Sequence, residues 1–274
     1  MILLHVVAAA LYAIAAWSLW PRTTAATPTP PLARAPHWSQ LAALVVPVAL
    51  VLHGWLAARD VATPQGLDLS LGNALSIVAG LTAVVAWASG LMRTLPMIGV
   101  VVLPVAAAFT LFPLLLVNPH RFSYADAPYA PVHVAVALIS YALFLVAALQ
   151  ALVLMGLEKR LHRGLADPAG AETPPLLTLE RFLFRFVGLG LLLLSLTILS
   201  GALFSEEIFG QPFRFNHKTV FSVLSWLVFA ALLVGRRRYG WRGRVALRWI
   251  LAGTALLFLA YLGSKFVIEV LLHR

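Results

Sequence analysis

Long apolar segments separated by short polar ones recur along the whole chain. A helix needs about 20 apolar residues to cross the hydrocarbon core of a bilayer. Segments of that kind predict eight transmembrane helices, at about residues 1–20, 40–58, 70–91, 96–117, 131–156, 182–204, 217–235 and 246–272. The pattern therefore predicts an all-α, polytopic transmembrane bundle. No polar stretch is long enough to fold alone, so residues 1–274 are expected to form a single transmembrane domain.

The composition agrees with lipid as the solvent of this chain. Of the residues, 61% are hydrophobic and 11% are charged, whereas a soluble domain carries roughly 25% charged residues. There are no cysteines, which excludes disulfides, thiolate metal sites and cysteine nucleophiles.

The net charge is +10, and the basic residues lie in short loops between apolar segments. This position favours a role in setting topology and contacting anionic lipid over nucleic-acid binding. Loops one, three, five and seven, with the adjoining helix ends, carry 14 of the 20 basic residues: Arg22, Arg34, Arg93, Lys159, Arg160, Arg163, Arg181, Arg185, Arg236, Arg237, Arg238, Arg242, Arg244 and Arg248. The positive-inside rule places these loops in the cytoplasm and both termini outside.

On this topology most of the histidines lie toward the outer side of the membrane. His37 and His162 are cytoplasmic, and the other six of the eight are His5, His53, His120, His133, His217 and His273. Histidine at membrane depth is costly without a partner, so each is a functional candidate. Histidines near the interface also occur as ordinary structural residues. We expect that structural role for His5 and His120, and for His53 both interpretations stay open.

Clustered histidines favour binding of haem iron or another transition metal. The chain has no H-E-x-x-H, G-x-S-x-G or P-loop motif. The outer loop between the sixth and seventh predicted helices is aromatic, with Phe204, Phe209, Phe213 and Phe215, and it contains Arg214, a potential partner for a haem propionate. The same phenylalanines are also typical of an interfacial aromatic belt.

The same loop resembles the cytochrome c assembly family, which includes the CcsA- and CcmC-like haem-handling proteins. That family has a tryptophan-rich segment of the form S-G-x-x-W-x-x-E-x-W-G-x-x-W-x-W-D-P-K-E. Five positions of the chain match it directly: Ser200, Gly201, Glu207, Gly210 and Lys218. Phenylalanines 204, 209, 213 and 215 stand at the tryptophan positions, and Asn216, His217 and Thr219 replace the aspartate, proline and glutamate.

Two further segments carry the resemblance. The stretch from His133 to Ala142 is similar to the family's H-V-x-x-x-x-x-S-Y-A segment, whose histidine opens a helix on the outer side and ligates haem. The stretch Tyr261-Leu262-Gly263 with Leu272-His273 is similar to an F-G…L-H segment whose histidine is the second ligand, although the spacing here is one residue longer. The family-like core covers about residues 131–272.

The resemblance implies a multi-pass protein of the bacterial inner membrane that handles haem, or takes part in cytochrome c assembly, at the outer face. It implies non-covalent b-type haem, with His133 as one axial ligand and His273 as the other. His217, which the family lacks, is an alternative second ligand on the basis of its side of the membrane and its spacing alone. Phe209, Phe213 and Phe215 would pack on the porphyrin. Such a protein is expected to be an assembly factor rather than a free-standing enzyme. Its expected partners are lipid, haem and other cytochrome c maturation proteins, and not nucleic acid.

Departures from the family pattern point to its shorter branch of YpjD- and HemX-type proteins. The tryptophans and the aspartate are absent, and the family's L-H-T-R segment after the seventh helix is replaced by the stretch from Leu233 to Arg236. A different class of function stays open, namely a small-solute or lipid transporter or a cofactor-free accessory subunit. Pro47, Pro104 and Pro113 could break helices for transport, although proline is common in membrane helices.

Overall fold

The computed structural model describes residues 1–24, 37–63, 66–116, 121–122, 129–162, 176–205 and 217–260. Its helices are α1 (Ile2–Thr24), α2 (His37–Val61), α3 (Leu71–Ala88), α4 (Leu91–Thr94), α5 (Pro96–Thr110), α6 (Phe112–Leu115), α7 (Ala130–His162), α8 (Leu176–Leu203), α9 (His217–Tyr239) and α10 (Gly243–Phe258). Three short strands lie between them: β1 (Ala62–Thr63), β2 (Gly66–Asp68) and β3 (Arg121–Phe122).

The predicted all-α membrane bundle is confirmed. Within the described ranges, 7 helices are long and apolar enough to cross a bilayer, and they correspond to the first seven predicted spans. The eighth predicted span begins as α10, and its later residues lie outside the described part of the chain. The connection before the fourth span contains the short helix α4, which follows Gly90 in a left-handed conformation with φ of 75°.

Successive membrane helices run in opposite directions, so their termini lie at two opposite ends of the bundle. We call the end where α7 begins and α8 ends the histidine end, because His133 lies there. The opposite end, where α9 ends in Arg236, Arg237 and Arg238, is called the arginine end. That the histidine end faces outward stays a prediction from the distribution of basic residues.

A small antiparallel sheet lies at the histidine end of the first half of the chain. It has the order β1-β2-β3, and Leu67 of β2 is paired with Ala62 on one side and Phe122 on the other. The amide of Asn73 donates hydrogen bonds to the backbone oxygens of Asp60 and Asp68, at 3.4 and 3.0 Å. The sequence predicted only polar loops here, because strands of two or three residues leave no periodic pattern.

The first half packs α1, α2, α3 and α5 through small side chains. Ala15, Ala49, Ala83 and Ala106 are each fully buried. Between membrane helices, association depends on close packing and hydrogen bonds, because lipid is as apolar as the helices themselves. Two backbones approach closely at Gly72, where a Cβ atom would lie 2.8 Å from the backbone oxygen of Phe112.

The second half is built around a stacked pair of phenylalanines. The rings of Phe144 on α7 and Phe229 on α9 lie 3.9 Å apart at an angle of 11°. Gly190 of α8 lies against Phe144, and Gly253 of α10 lies against Phe229. Four helices therefore meet at this one pair.

Buried hydroxyl groups fix the same helices along their axes by donating to backbone oxygens of neighbouring helices. Ser140 Oγ donates to Gly190 O at 3.0 Å, and Ser225 Oγ donates to Gly253 O at 2.8 Å. Tyr141 Oη donates to Leu257 O at 2.9 Å. Each bond satisfies a hydroxyl that would otherwise be costly to bury.

Charged contacts join the helices at the arginine end. Arg244 Nε and Glu158 Oε1 lie 3.1 Å apart, which links α10 to α7. A carboxylate oxygen of Glu180, on α8, accepts the backbone N–H of Gly243 at 3.1 Å. The guanidinium of Arg236 lies 3.4 Å from the ring centre of Phe184. These contacts hold the ends of α7 and α9 to the starts of α8 and α10.

We predict that Gly253→Ala destabilises the protein by about 1–3 kcal/mol, because the added methyl would lie 2.8 Å from the Phe229 ring. Thermal unfolding of the purified protein in detergent measures this. Gly188→Ala on α8 is the matched control, because no atom lies within 4 Å of its added Cβ. That control should unfold at the wild-type temperature or above it, and equal behaviour of the two variants would contradict the packing argument.

Candidate functional site

His133 lies in the first turns of α7, at the histidine end. Pro131 fits the beginning of this helix because the first residues of a helix need no N–H partner within it. The backbone N–H of His133 donates to Tyr129 O at 3.0 Å, so the turn before it is already helical. The imidazole is half-buried and faces the last turn of α8.

Ser200 of α8 is the partner that orients the His133 ring. Its Oγ lies 2.8 Å from His133 Nδ1, and it donates its own proton to Thr197 O at 3.2 Å. When this proton is donated to Thr197 O, Oγ accepts a hydrogen bond from Nδ1–H. The neutral imidazole then carries its lone pair on Nε2. This is how a neighbouring acceptor sets the tautomer of a metal-binding histidine.

The His133 ring lies beside a glycine, and a pair of aromatic rings lies at the same ends of α7 and α8. A Cβ atom on Gly201 would lie 3.3 Å from His133 Cε1, so the ring packs directly against this glycine and a side chain there would crowd it. The rings of Tyr129 and Phe204 lie 5.9 Å apart, across the ends of α7 and α8. Phe204 is one of the phenylalanines of the predicted aromatic loop.

A second hydrogen bond fixes α9 to α8 below this site. The indole N–H of Trp226 donates to Ser195 Oγ at 2.8 Å, and Ser195 Oγ donates to Leu191 O at 2.8 Å. Ser195 is a little over one helical turn from Ser200, so the part of α8 that orients His133 is held directly by α9.

The structure describes only some of the other residues that were predicted to bind haem. His217 is the first residue of α9, and its side chain is exposed at the histidine end, the end where His133 lies. Five predicted residues lie outside the described ranges: Phe209, Phe213, Arg214, Phe215 and His273. Within those ranges the structure brings His133 together with Ser200, Gly201 and the neighbouring aromatic pair.

The donor set at His133 fits haem. Haem is held by one or two axial side chains, and an imidazole with its Nδ1–H bonded to a neighbour presents the Nε2 that such a ligand uses. No group of three or more His, Asp or Glu side chains suited to a metal ion occurs in the described part of the chain. A porphyrin site does not require such a group.

Two of the remaining histidines, His5 and His53, have other partners in the described part of the chain. His5 is buried, and its Nε2 lies 2.9 Å from Asp60 Oδ2, so it joins α1 to α2 in the structural role expected of it. His120 lies outside the described residues.

His53, whose role the sequence left open, is 2% exposed and sits among hydroxyl groups from three other helices. Tyr12 Oη lies 3.2 Å and Thr110 Oγ1 3.3 Å from its Nδ1, and Ser76 Oγ lies 2.9 Å from its Nε2.

Sequence reasoning missed two of these arrangements. Ser200 was matched to the family segment but was not linked to His133, because the two residues are 67 positions apart. The hydroxyl groups around His53 were also missed. Their signal was the occurrence of Tyr12, Ser76 and Thr110 as single polar residues inside apolar spans, where a buried hydroxyl needs a partner.

The chain matches one protein family and is similar to several individual proteins. The family described as Cytochrome C assembly protein matches residues 38–272, which extends well beyond the segment that carried the sequence resemblance. Inner membrane protein YpjD of Escherichia coli strain K12 is 33% identical over 237 residues, covering 84% of this chain and 87% of YpjD. Cytochrome c biogenesis protein CcsA of Thermosynechococcus vestitus is 29% identical over 211 residues, covering 61% of this chain and 66% of CcsA. An uncharacterized 28.8 kDa protein of Azospirillum brasilense is 36% identical over 140 residues, about half of each chain. No solved structure matches the chain.

We predict that Ser200→Ala changes the tautomer of His133 from Nδ1–H to a mixture, because the acceptor at Nδ1 is lost. Nitrogen-15 NMR of protein labelled at histidine measures the two ring nitrogens separately. Ser195→Ala on the same helix is the control and should leave the His133 signals unchanged, since Ser195 contacts Trp226 instead. An unchanged His133 spectrum in Ser200→Ala would contradict the assigned hydrogen bond.

Proposed function

The chain belongs to the cytochrome c assembly protein family, and we propose that it binds haem non-covalently at the histidine end of its bundle. It is a multi-pass membrane protein. In this proposal it holds or presents haem during cytochrome c biogenesis, and any bond formation to the apocytochrome involves a partner protein. The likeness to YpjD supports the bacterial inner membrane as its location.

The observation that carries the proposal is the orientation of His133. Ser200 Oγ lies 2.8 Å from Nδ1, and when it accepts from Nδ1–H the lone pair of the ring lies on Nε2, the nitrogen suited to iron. Without an acceptor at Nδ1 the ring would divide between tautomers, and only a fraction of molecules would be ready to ligate. The ring packs against Gly201, which holds it beside the last turn of α8.

The rest of the binding site is assigned from the family resemblance. His273 or His217 supplies the second axial imidazole, Phe209, Phe213 and Phe215 pack on the porphyrin, and Arg214 pairs with a propionate. When bound, haem supplies an iron that accepts two axial nitrogens and a wide apolar face. The exposed position of His217 at the start of α9 supports its place among the candidates.

We expect protein purified in mild detergent from haem-replete cells to show a Soret band and a positive pyridine haemochrome assay. His133→Ala should lower the haem content per protein by at least about tenfold, because the best-oriented ligand is removed. His37→Ala, at the arginine end, is the matched control and should retain haem. Size-exclusion profiles confirm that both variants fold. Wild-type protein without a Soret band would overturn the proposal.

The second ligand is tested by comparing His217→Ala with His273→Ala. We expect one of these two variants, and not the other, to shift the ferric spectrum from low spin toward high spin, because one axial imidazole is lost. Visible and electron paramagnetic resonance spectra of the purified variants make the comparison. If both variants retain the wild-type spectrum, ligation by two of the three histidines is wrong, even though haem is bound.

A further inference from the structure

Positive charge is concentrated at the arginine end of the second half of the bundle. The described side chains there include nine basic residues: Lys159, Arg181, Arg185, Arg236, Arg237, Arg238, Arg242, Arg244 and Arg248. They include two carboxylates, and both contact the protein itself. Glu158 lies 3.1 Å from Arg244, and Glu180 accepts the backbone N–H of Gly243. At the same end of the first half, Arg93 is the one basic residue whose side chain is described. This excess of positive charge is suited to an anionic partner.

A row of aromatic rings marks the level of the membrane boundary beside these arginines. The candidate span of α9 ends at Tyr239, whose ring centre lies 6.2 Å from that of Trp241. The rings of Trp241 and Trp249 lie 5.2 Å apart, and Trp241 packs directly against Gly235 of α9. Tryptophan and tyrosine are enriched at the level of the lipid headgroups. Arg248 precedes Trp249 in α10, so it lies at the same level.

One face of α10 carries arginines at this level and an apolar trough beyond them. The exposed residues that recur at every third or fourth position, and so form one stripe, are Arg244, Arg248, Ala252, Ala255 and Leu259. Larger, partly exposed side chains border the two alanines, with Trp249 and Leu256 on one side and Leu251 on the other. The short side chains between these borders leave a shallow apolar trough that begins at the arginines.

The length of this face matches one leaflet of a bilayer. Arg248 and Leu259 are separated by eleven residues, or about 16 Å along a helix axis. The hydrocarbon core of one leaflet is about 15 Å thick. The face is therefore positive at the headgroup level and apolar over the depth that one acyl chain occupies.

We propose that this face of α10 binds one anionic phospholipid, with its phosphate against Arg248 and Arg244 and an acyl chain along Ala252 and Ala255. Guanidinium groups bind phosphate oxygens through paired hydrogen bonds. Arg244 is held in place by Glu158 while its side chain stays 54% exposed, so little further ordering is needed to bind. The sequence predicts contact between basic loops and anionic lipid in general, and this proposal assigns one lipid to one site.

The apolar trough decides between the possible sources of negative charge. A free phosphate ion would use the arginines and leave the trough unused. An acidic, water-soluble protein segment would meet the arginines but would not follow the trough into the hydrocarbon. A phospholipid matches both parts of the face. The site lies at the end of the bundle opposite His133, so the proposal does not depend on haem binding.

Native mass spectrometry of the full-length protein in detergent, titrated with phosphatidylglycerol, tests the proposal. We expect one tightly bound lipid per protein, and phosphatidylcholine with the same acyl chains should bind at least about tenfold more weakly. Glycerol phosphate, which has the charge without the chains, should not displace the lipid. Equal affinity for the two lipids, or displacement by glycerol phosphate or by polyglutamate, would overturn the proposal.

Two pairs of variants separate a site on α10 from a general effect of charge. Arg248→Gln should weaken phosphatidylglycerol binding about fivefold, whereas Arg93→Gln, an exposed arginine at the same end, should retain the wild-type affinity. Equal weakening by these two variants would show that only the net charge matters and would refute the site.

The second pair of variants tests the trough without changing the charge. Ala252→Leu should weaken phosphatidylglycerol binding by a measurable factor, because the larger side chain occupies the place of the acyl chain. Ala231→Leu, on the exposed face of α9, is the matched control and should bind as the wild type does. Size-exclusion profiles confirm that the variants fold. Wild-type affinity in Ala252→Leu would mean that no acyl chain lies in the trough, and the proposal would fail.

Discussion

A stacked pair of phenylalanine rings, packed between two glycines, joins the four helices in the second half of this protein. Phe144 and Phe229 stack at 3.9 Å, with Gly190 and Gly253 at their outer faces, so α7, α8, α9 and α10 meet at one point. In lipid the helices gain nothing from leaving water, and association rests on such close contacts and on hydrogen bonds between helices. The alignment of α7 with α8, and hence of His133 with a hydroxyl, depends on this packing.

The environments of His133 and His53 differ in depth and in partners. Half-buried His133 lies near the end of the bundle, where Ser200 Oγ lies against its Nδ1 and also within reach of Thr197 O. His53 is buried deeper, and hydroxyls from three other helices lie against its two ring nitrogens. The first histidine is oriented by one neighbouring helix, whereas the second joins four helices through hydrogen bonds.

The membrane architecture could be predicted from the sequence because the cost of burying backbone in lipid imposes long apolar helices with visible ends. The predicted helix bounds agree with the observed ones to within about four residues at α3 and α9, and so does the predicted start of α7. His133 was singled out through resemblance to a family, not through its pattern in this chain. Its contact with Ser200 could not be predicted, since the register between two helices depends on packing that single-helix periodicity does not contain. The partners of His53 could not be predicted for the same reason, because Tyr12, Ser76 and Thr110 lie on three different helices.

The three-stranded sheet has a consequence for how the protein is made. Its first two strands follow α2, but its third strand, Arg121–Phe122, comes after α6 and shortly before α7. During synthesis the sheet cannot close until the four membrane spans that precede its third strand have been made. Closure then joins the end of α2 to the chain that leads into α7. The backbone hydrogen bonds at this end of the first half are therefore completed by residues that lie next to α7 in the sequence, although they pair with a strand that follows α2.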